Sequence, residues 1–216
     1  MNLVKPKANF NIGLKTVTGI KQKTLIAIGI FFIAFGTFAM DYAIFRGEPS
    51  WLLWSCYIGL IIIGLGALLQ KGYLIASQLN ILTLPLILWQ IDFIYYLFFD
   101  QYLFGISQYF FSPELLPLAR FISLEHLFLL PLAFVVLWLV GLNWRHSWQI
   151  SLGQLIISAF LLYVFTDGSQ NINCVFQSCL SFISTSPWYL MKWLIIASTM
   201  VIGTNWLINR LFYNAK

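Results

Sequence analysis

Long apolar runs dominate this chain, and short polar segments separate them. A helix needs roughly 20 apolar residues to cross the hydrocarbon core of a bilayer, and the chain contains six runs of about that length. They are Thr24–Phe45, Trp51–Gln70, Tyr73–Phe99, Phe121–Leu142, Trp148–Thr166 and Trp188–Asn209. Strands of a membrane barrel would be shorter and would alternate between apolar and polar residues. The pattern therefore predicts an all-α polytopic transmembrane helical bundle of about six spans.

Two of these runs need comment. The first is longer than the apolar core of a signal peptide and further spans follow it, so we interpret it as an uncleaved anchor. The third is too long for one upright helix and contains Pro85, so we expect it to tilt, kink or break. The domain organisation predicted is a basic cytoplasmic N-terminal segment, residues 1–23, followed by a single transmembrane domain, residues 24–212.

Composition excludes a soluble domain. Only 9% of the residues are charged and the mean hydropathy is +0.84, whereas soluble domains carry about 25% charged residues. Lipid is therefore the expected solvent and a membrane lipid the expected partner. The short basic stretch at the N-terminus runs directly into apolar sequence, which argues against nucleic-acid binding.

Basic residues indicate the orientation. If the N-terminus is cytoplasmic, nine basic residues lie on the inner side and two, Arg46 and Arg120, lie on the outer side. The inner set comprises Lys5, Lys7, Lys15, Lys21, Lys23, Lys71, Arg145, Arg210 and Lys216. Positive charge is retained in the cytoplasm, so both termini are predicted to be cytoplasmic, in the inner membrane of a bacterium.

Acidic residues gather on the opposite side. In this topology no carboxylate is cytoplasmic, and the two longest connections, 100–120 and 167–187, are also on the outer side. Function tends to reside where loops are long. The outer half of the bundle is therefore the predicted location of a site.

His126 and Asp92 are the candidate catalytic residues. Both are ionisable groups within apolar runs, where such groups are costly and commonly functional. Counted from the outer ends of their runs they lie at similar depths, about 8 and 10 Å. We expect them to meet across neighbouring helices, with His126 as general acid/base and Asp92 as the group that orients it. The alternative is a purely structural pair, or pairing of Asp92 with Arg120 or Lys192.

Five further residues are candidate binding groups. They are Arg120, Glu125, Asn171, Asn173 and Lys192. A cation and two loop amides near the outer face suit a polar headgroup, although Asn is also routine in turns and caps. Ser123 shares a helix face with His126, but a bond from its hydroxyl to a backbone carbonyl is the favoured interpretation.

Cysteine spacing predicts no metal site. Cys174 and Cys179 lie in one outer loop, where an oxidising compartment permits a disulfide, and four intervening residues fit no zinc motif. Cys56, within the second run, is interpreted as a packing residue, and the glycines of the first two runs as helix contacts. Phosphate-loop, HExxH and dinucleotide fingerprints are missing, so no cofactor is predicted.

Three sequence motifs resemble those of a prokaryotic family of small integral membrane proteins. The family pattern reads W-x-x-D-F, then R-x-x-S-L-x-H with a following L-P, then N-I-N-W-V-F-G. The matching residues are Trp89, Asp92, Phe93, Arg120, Ser123, Leu124, His126, Leu130, Pro131, Asn171, Ile172, Asn173, Val175 and Phe176. Glu125, Cys174 and Gln177 depart from it, standing where an aromatic residue, Trp and Gly are usual. The resemblance implies candidate positions and no particular reaction.

These observations lead to two functional hypotheses. The first is an intramembrane enzyme that acts on a lipid-like substrate at the outer leaflet through His126 and Asp92. The second is a small transporter or a non-enzymatic assembly or binding protein. A homo-oligomer and a separate membrane-protein partner both stay open. Few polar residues reach the inner half, which favours a one-sided site; they are Gln78, Asn80, Thr83, Ser151 and Gln154.

Overall fold

A computed structural model describes residues 19–180, 183 and 185–213. Most of the predicted basic segment, residues 1–18, therefore lies outside the described residues, as does Lys216. The α-helices are α1 (Ile20–Phe45), α2 (Ser55–Leu68), α3 (Gly72–Phe99), α4 (Gln108–Phe111), α5 (Pro117–Ser123), α6 (Glu125–Val140), α7 (Ser147–Phe165) and α8 (Tyr189–Ile208). Short 3₁₀ turns cover Pro49–Leu53 and Ile172–Cys174, and a π-helical turn, Asn209–Tyr213, follows α8. No strand occurs in these ranges.

Among the described residues, five segments are long and apolar enough to cross a membrane. They are Ile20–Phe45, Gly72–Phe99, Pro117–Val140, Ser147–Phe165 and Tyr189–Tyr213. The sixth, α2, has 14 residues, about 21 Å of helix. It is shorter than its apolar run because Trp54 is extended and separates it from the preceding 3₁₀ turn. The predicted all-α bundle of about six spans is confirmed.

Two helices differ in detail from the expectation. The third run stays one helix of 28 residues with Pro85 inside it, so it does not break. The fourth begins earlier than predicted, with Pro117 in its first turn, a position where the missing N–H of proline has no helical partner to lose. It is interrupted at Leu124, so His126 lies in the first turn of a new helix, α6.

Helix α3 occupies the centre of the bundle. It packs against α2, α6, α7 and α8, while α1 packs mainly on α2. The α1–α2 contact is close because a Cβ added at Gly64 would lie 2.8 Å from the carbonyl oxygen of Gly29, as the small-residue packing of membrane helices requires. Large apolar side chains such as Trp138 and Phe160, 65% and 64% exposed, point outward, where lipid would cover them.

The two ends of the bundle are unlike. At one end the connections are short, residues 69–71 and 141–146. At the other, which we call the long-loop end, α1, α3 and α7 finish, and the connections are longer: residues 100–116, and residues 166–188, of which 181, 182 and 184 lie outside the described residues. Helices α2, α6 and α8 begin there, so their first turns lie side by side beneath these loops.

Candidate functional site

A cavity of about 700 Å³ lies beneath the loops of the long-loop end. That volume is within the usual range for small-molecule sites, about 300–1,000 Å³. Its walls come from the first turns of α2 and α6, the middle of α3, the side of α8 and the connection that follows α7. Aromatic side chains are prominent in the lining, including Trp51, Trp54, Tyr57, Trp89, Tyr109 and Trp193. Such a surface suits an apolar chain.

Three potentially reactive side chains, Cys56, Glu125 and His126, share one wall of this cavity. Each offers a donor atom, and these three atoms lie within 4.8 Å of one another. Cys56 comes from the first turn of α2, and the other two come from the first turn of α6. Because the helix is interrupted at Leu124, α6 begins at this depth. Its first two residues, Glu125 and His126, therefore lie against α2.

Hydrogen bonding determines which ring nitrogen of His126 carries the proton. Its Nδ1 lies 2.8 Å from the carbonyl oxygen of Ser123, and because a carbonyl only accepts, Nδ1 must carry the proton. Nε2 then presents a lone pair, and it lies 3.6 Å from Cys56 Sγ. The imidazole stacks on Trp89 with ring centroids 4.7 Å apart. His126 therefore has a defined tautomer and a held ring plane.

Of the three residues in the cluster, Glu125 costs the most free energy to bury. It is 1% exposed, and its Oε2 has no hydrogen-bond partner among the described residues. A buried polar atom without a partner costs on the order of 1–3 kcal/mol. We predicted Glu125 as a binding residue. The structure instead places it beside His126 in the cavity wall.

Asp92 does not pair with His126, so the predicted catalytic pair is wrong. One carboxylate oxygen accepts from the backbone N–H groups of Phe104, at 2.6 Å, and Gly105, at 3.2 Å. The other accepts from the N–H and hydroxyl of Ser107, at 2.9 and 2.7 Å. The connection after α3 turns back over the helix end and delivers these donors. Asp92 therefore holds a loop in place.

The predicted cationic partners are also engaged elsewhere or turned outward. Arg120 donates from Nε to the carbonyl of Phe110, at 3.1 Å, and from Nη2 to the carbonyl of Ser112, at 2.9 Å. Lys192 is exposed on α8. Neither of them lines the cavity described above. The arrangement gives no support to the predicted headgroup binding by Arg120 or to the predicted binding role of Lys192.

The two loop amides have separate structural tasks. Asn171 closes its own loop, accepting from the N–H groups of Phe176 and Gln177 at 3.1 and 3.0 Å. Asn173 accepts from Ser55 N, at 3.1 Å, and donates to Leu53 O, at 2.9 Å. It thus caps the start of α2, one residue before Cys56. Asn173 also lines the cavity, so it both positions Cys56 and forms part of the wall.

The loop that carries these amides is cross-linked. Cys174 and Cys179 form a disulfide with Cα atoms 5.6 Å apart, and both line the cavity. The lining also contains polar side chains, which we call the polar rim. They include Gln170, which donates to Glu48 at 2.9 Å. The polar rim also includes the phenol of Tyr109, which can donate a hydrogen bond.

Cys56 is the residue that sequence reasoning missed. It was interpreted as packing, yet the structure places it beside His126. A signal was available, because Cys56 lies five residues into the second run and His126 five residues into the fourth. Both counts start at the outer ends of the runs, so the two residues share a depth.

Polar residues in the other half of the bundle form hydrogen bonds with one another, although Asn80 Oδ1 accepts none from the described residues. Gln78 and Gln154 exchange amide hydrogen bonds at 2.8 and 3.1 Å. Asn80 donates to Ser147, Ser151 and Asn205. These contacts join α3, α7 and α8, and interhelical hydrogen bonds of this kind hold membrane helices together.

No protein-family model, curated protein or solved structure matches this chain. The resemblance drawn from the three motifs therefore stays a prediction, and the geometry of the cavity carries the functional argument.

Proposed function

We propose that the protein is a multi-pass enzyme of the bacterial inner membrane that acts on a lipid-like, amphipathic substrate. The observation that carries this proposal is the cluster of Cys56, Glu125 and His126 in the wall of an apolar cavity at the long-loop end. A thiol, a carboxyl and an imidazole gathered in one cavity wall, with one buried carboxyl oxygen unpartnered among the described residues, are not needed for packing alone. Costly polar groups of this kind are typical of functional sites.

The cavity divides into two chemical regions. The aromatic walls accept the apolar chain of the substrate, and the polar rim formed by Glu48, Gln170 and Tyr109 contacts its headgroup. At the inner wall, His126 presents an unprotonated Nε2 and Glu125 presents an unpaired carboxyl oxygen. These two groups replace the predicted pair of His126 with Asp92 as the reacting residues.

The long-loop end is proposed to face the periplasm. Lys71, Arg145 and Arg210 lie at or beyond the short-loop ends of their helices, and Arg46 and Arg120 lie at the long-loop end. Adding the N-terminal lysines and Lys216 gives the nine-to-two bias of the sequence. Positive charge on the cytoplasmic side then places the cavity in the outer leaflet.

This orientation predicts that the 174–179 disulfide is present in native membranes, since the periplasm is oxidising. In intact cells, a membrane-impermeant maleimide should label neither cysteine until an impermeant reductant is added, and both afterwards. The Cys56→Ser variant serves as background, because it leaves only these two cysteines to react. Labelling of both cysteines without reductant would contradict the disulfide, and failure to label after reduction would contradict the periplasmic location.

The enzymatic proposal predicts opposite effects of one substitution on stability and activity. Glu125→Leu removes a buried carboxyl with an unpartnered oxygen and should stabilise the purified protein by about 1–3 kcal/mol, while abolishing lipid conversion. His126→Gln should lower conversion by at least about 100-fold, as loss of a general acid/base does. Purified protein in nanodiscs made from bacterial lipid extract would be assayed by mass spectrometry, and stability by thermal unfolding.

Glu114→Gln is the matched control, because Glu114 is an exposed acid in the 100–116 connection. Glu114→Gln should change neither the stability nor the lipid conversion. Loss of stability in Glu125→Leu with conversion intact would make the carboxyl structural and refute the proposed role.

A small transporter is the second candidate, favoured by one observation. The cavity wall reaches Ile81 and Leu82, and Gln78, one turn further along α3, begins the polar network. The same mass-spectrometric assay separates the two candidates. A transporter would move its substrate between compartments without changing its mass.

A further inference from the structure

We propose that Cys56, Glu125 and His126 bind a divalent transition-metal ion of the zinc class. This inference rests on the proposed function, because it concerns the same site. The three residues supply a thiolate, a carboxylate and an imidazole, which are the three side-chain ligands of zinc. Their donor atoms already lie within 4.8 Å of one another. A metal at this point would contact the cavity where the substrate is proposed to bind.

The spacing between two of the donors agrees with tetrahedral coordination. Zinc bonds of about 2.3 Å to sulfur and about 2.05 Å to nitrogen, meeting at a tetrahedral angle, separate the two donors by about 3.6 Å. Cys56 Sγ and His126 Nε2 are 3.6 Å apart. A small movement of the Glu125 carboxylate would complete a three-ligand face.

The orientation of His126 is that of a metal ligand. A ligating histidine normally donates its other ring N–H to a carbonyl or carboxylate, which fixes the tautomer and the ring plane. His126 does this through Nδ1 to Ser123 O, at 2.8 Å. Stacking on Trp89 restrains the ring further. Nε2 is therefore left free to bind a metal, with Cys56 Sγ at 3.6 Å and a carboxylate oxygen of Glu125 within 4.8 Å.

Charge balance would account for the buried carboxyl oxygen of Glu125, Oε2, that has no hydrogen-bond partner among the described residues. One thiolate, one carboxylate and one neutral imidazole carry two negative charges, which a divalent cation neutralises. Without the cation, Glu125 Oε2 is buried in an apolar wall with no hydrogen bond among the described residues. With it, every donor of the cluster has a ligand bond, and the cost of burying the carboxylate is offset.

The ligand set favours a catalytic site over a structural one. Structural zinc sites use four protein ligands, whereas catalytic sites use three and leave one position open. Here the open position faces the cavity, where a carbonyl or phosphoryl oxygen of a lipid can reach the ion. The thiolate also disfavours magnesium and calcium, which prefer oxygen ligands.

Metal binding can be measured on the full-length protein in nanodiscs, with zinc or cobalt alone as the probe. We expect about one ion per chain and, with cobalt, the near-ultraviolet thiolate-to-metal charge-transfer band. Cys56→Ser should abolish that band. Glu125→Gln and His126→Gln should weaken binding by more than about 100-fold, the upper end of what losing an outer-shell partner costs.

The control variant is His146→Gln. His146 is exposed at the start of α7, and its loss should leave stoichiometry and affinity unchanged. A second measurement needs no variant in the cluster. With Cys174 and Cys179 oxidised, Cys56 is the reactive thiol, so zinc should block its alkylation and EDTA should restore it.

The outcomes separate this inference from the proposed function. Wild-type protein that shows no charge-transfer band and no protection of Cys56 would overturn the metal site, even if lipid conversion persists. Binding that survives Cys56→Ser, or that is lost in His146→Gln, would overturn it as well. Metal binding that depends on the three residues would support the site, even if no lipid is converted and the proposed function fails.

Discussion

The Asp92→Ala variant is expected to lose more than about 3 kcal/mol of stability, because several donors lose a charged acceptor at once. Asp92 and Ser107 are both 0% exposed, so water does not replace the lost bonds. The carboxylate accepts three backbone N–H bonds and one hydroxyl bond from the 104–107 stretch. The neighbouring cluster of Trp89, Phe93 and Phe110 depends on the same connection. Thermal unfolding followed by tryptophan fluorescence would measure the loss.

Two further variants test whether the lost hydrogen bonds to the loop cause the loss of stability. Asp92→Asn retains one oxygen acceptor but turns an amide toward a donor, so its loss should be smaller than that of alanine. Asp41→Asn is the control, because Asp41 is an exposed acid near the end of α1, and it should differ little from wild type. An Asp92→Ala protein as stable as wild type would show that the loop bonds carry no net stability. It would not restore a catalytic role, since both carboxylate oxygens bond the 104–107 stretch.

Gly72→Ala is expected to be at least as damaging, on the order of 3 kcal/mol or more. A Cβ added at Gly72 would lie 2.0 Å from the carbonyl oxygen of Gly141 and 3.0 Å from its carbonyl carbon. The obstruction is backbone, which cannot rotate away, so α3 and α6 must move apart. Ordinary overpacking costs about 1–3 kcal/mol, and a backbone clash at this distance should reach or exceed the upper end.

Gly203→Ala provides the matched comparison. Gly203 lies within α8, and a Cβ there would meet nothing within 4 Å. Since alanine is the better helix former, this variant should be neutral or slightly more stable. Equal unfolding temperatures for Gly72→Ala and Gly203→Ala would contradict the close α3–α6 contact.

The fold was largely predictable from the apolar runs. Only helices or closed barrels satisfy the backbone inside a bilayer, so run length and continuity were enough to predict an all-α bundle. The exceptions were local. Trp54 shortens α2, Leu124 divides the fourth run, and α3 passes through Pro85 without breaking. These features depend on backbone angles at single residues, which hydropathy does not report.

The candidate site was predictable in depth but not in composition. Counting residues from the ends of the runs placed His126 near one face, and the structure puts it in the cavity wall there. The same count placed Asp92 at a matching level, and it does lie near the same end of the bundle. Depth alone, however, could not tell which helix face each residue occupies, so the predicted pair was wrong and Cys56 was overlooked.

The sequence by itself determined that the chain is built for a lipid environment, that it is helical, and at which end of the bundle the acidic residues gather, because these follow from residue type and from position along each run. Only the tertiary structure decided which side chains meet. The spans are apolar on all sides, so periodicity does not mark a buried face. Which way a helix turns is set by packing, as where Gly29 meets Gly64, and by bonds such as that of Asn173 to the start of α2. Those contacts bring Cys56, 69 residues before Glu125 in the chain, into one cluster with Glu125 and His126.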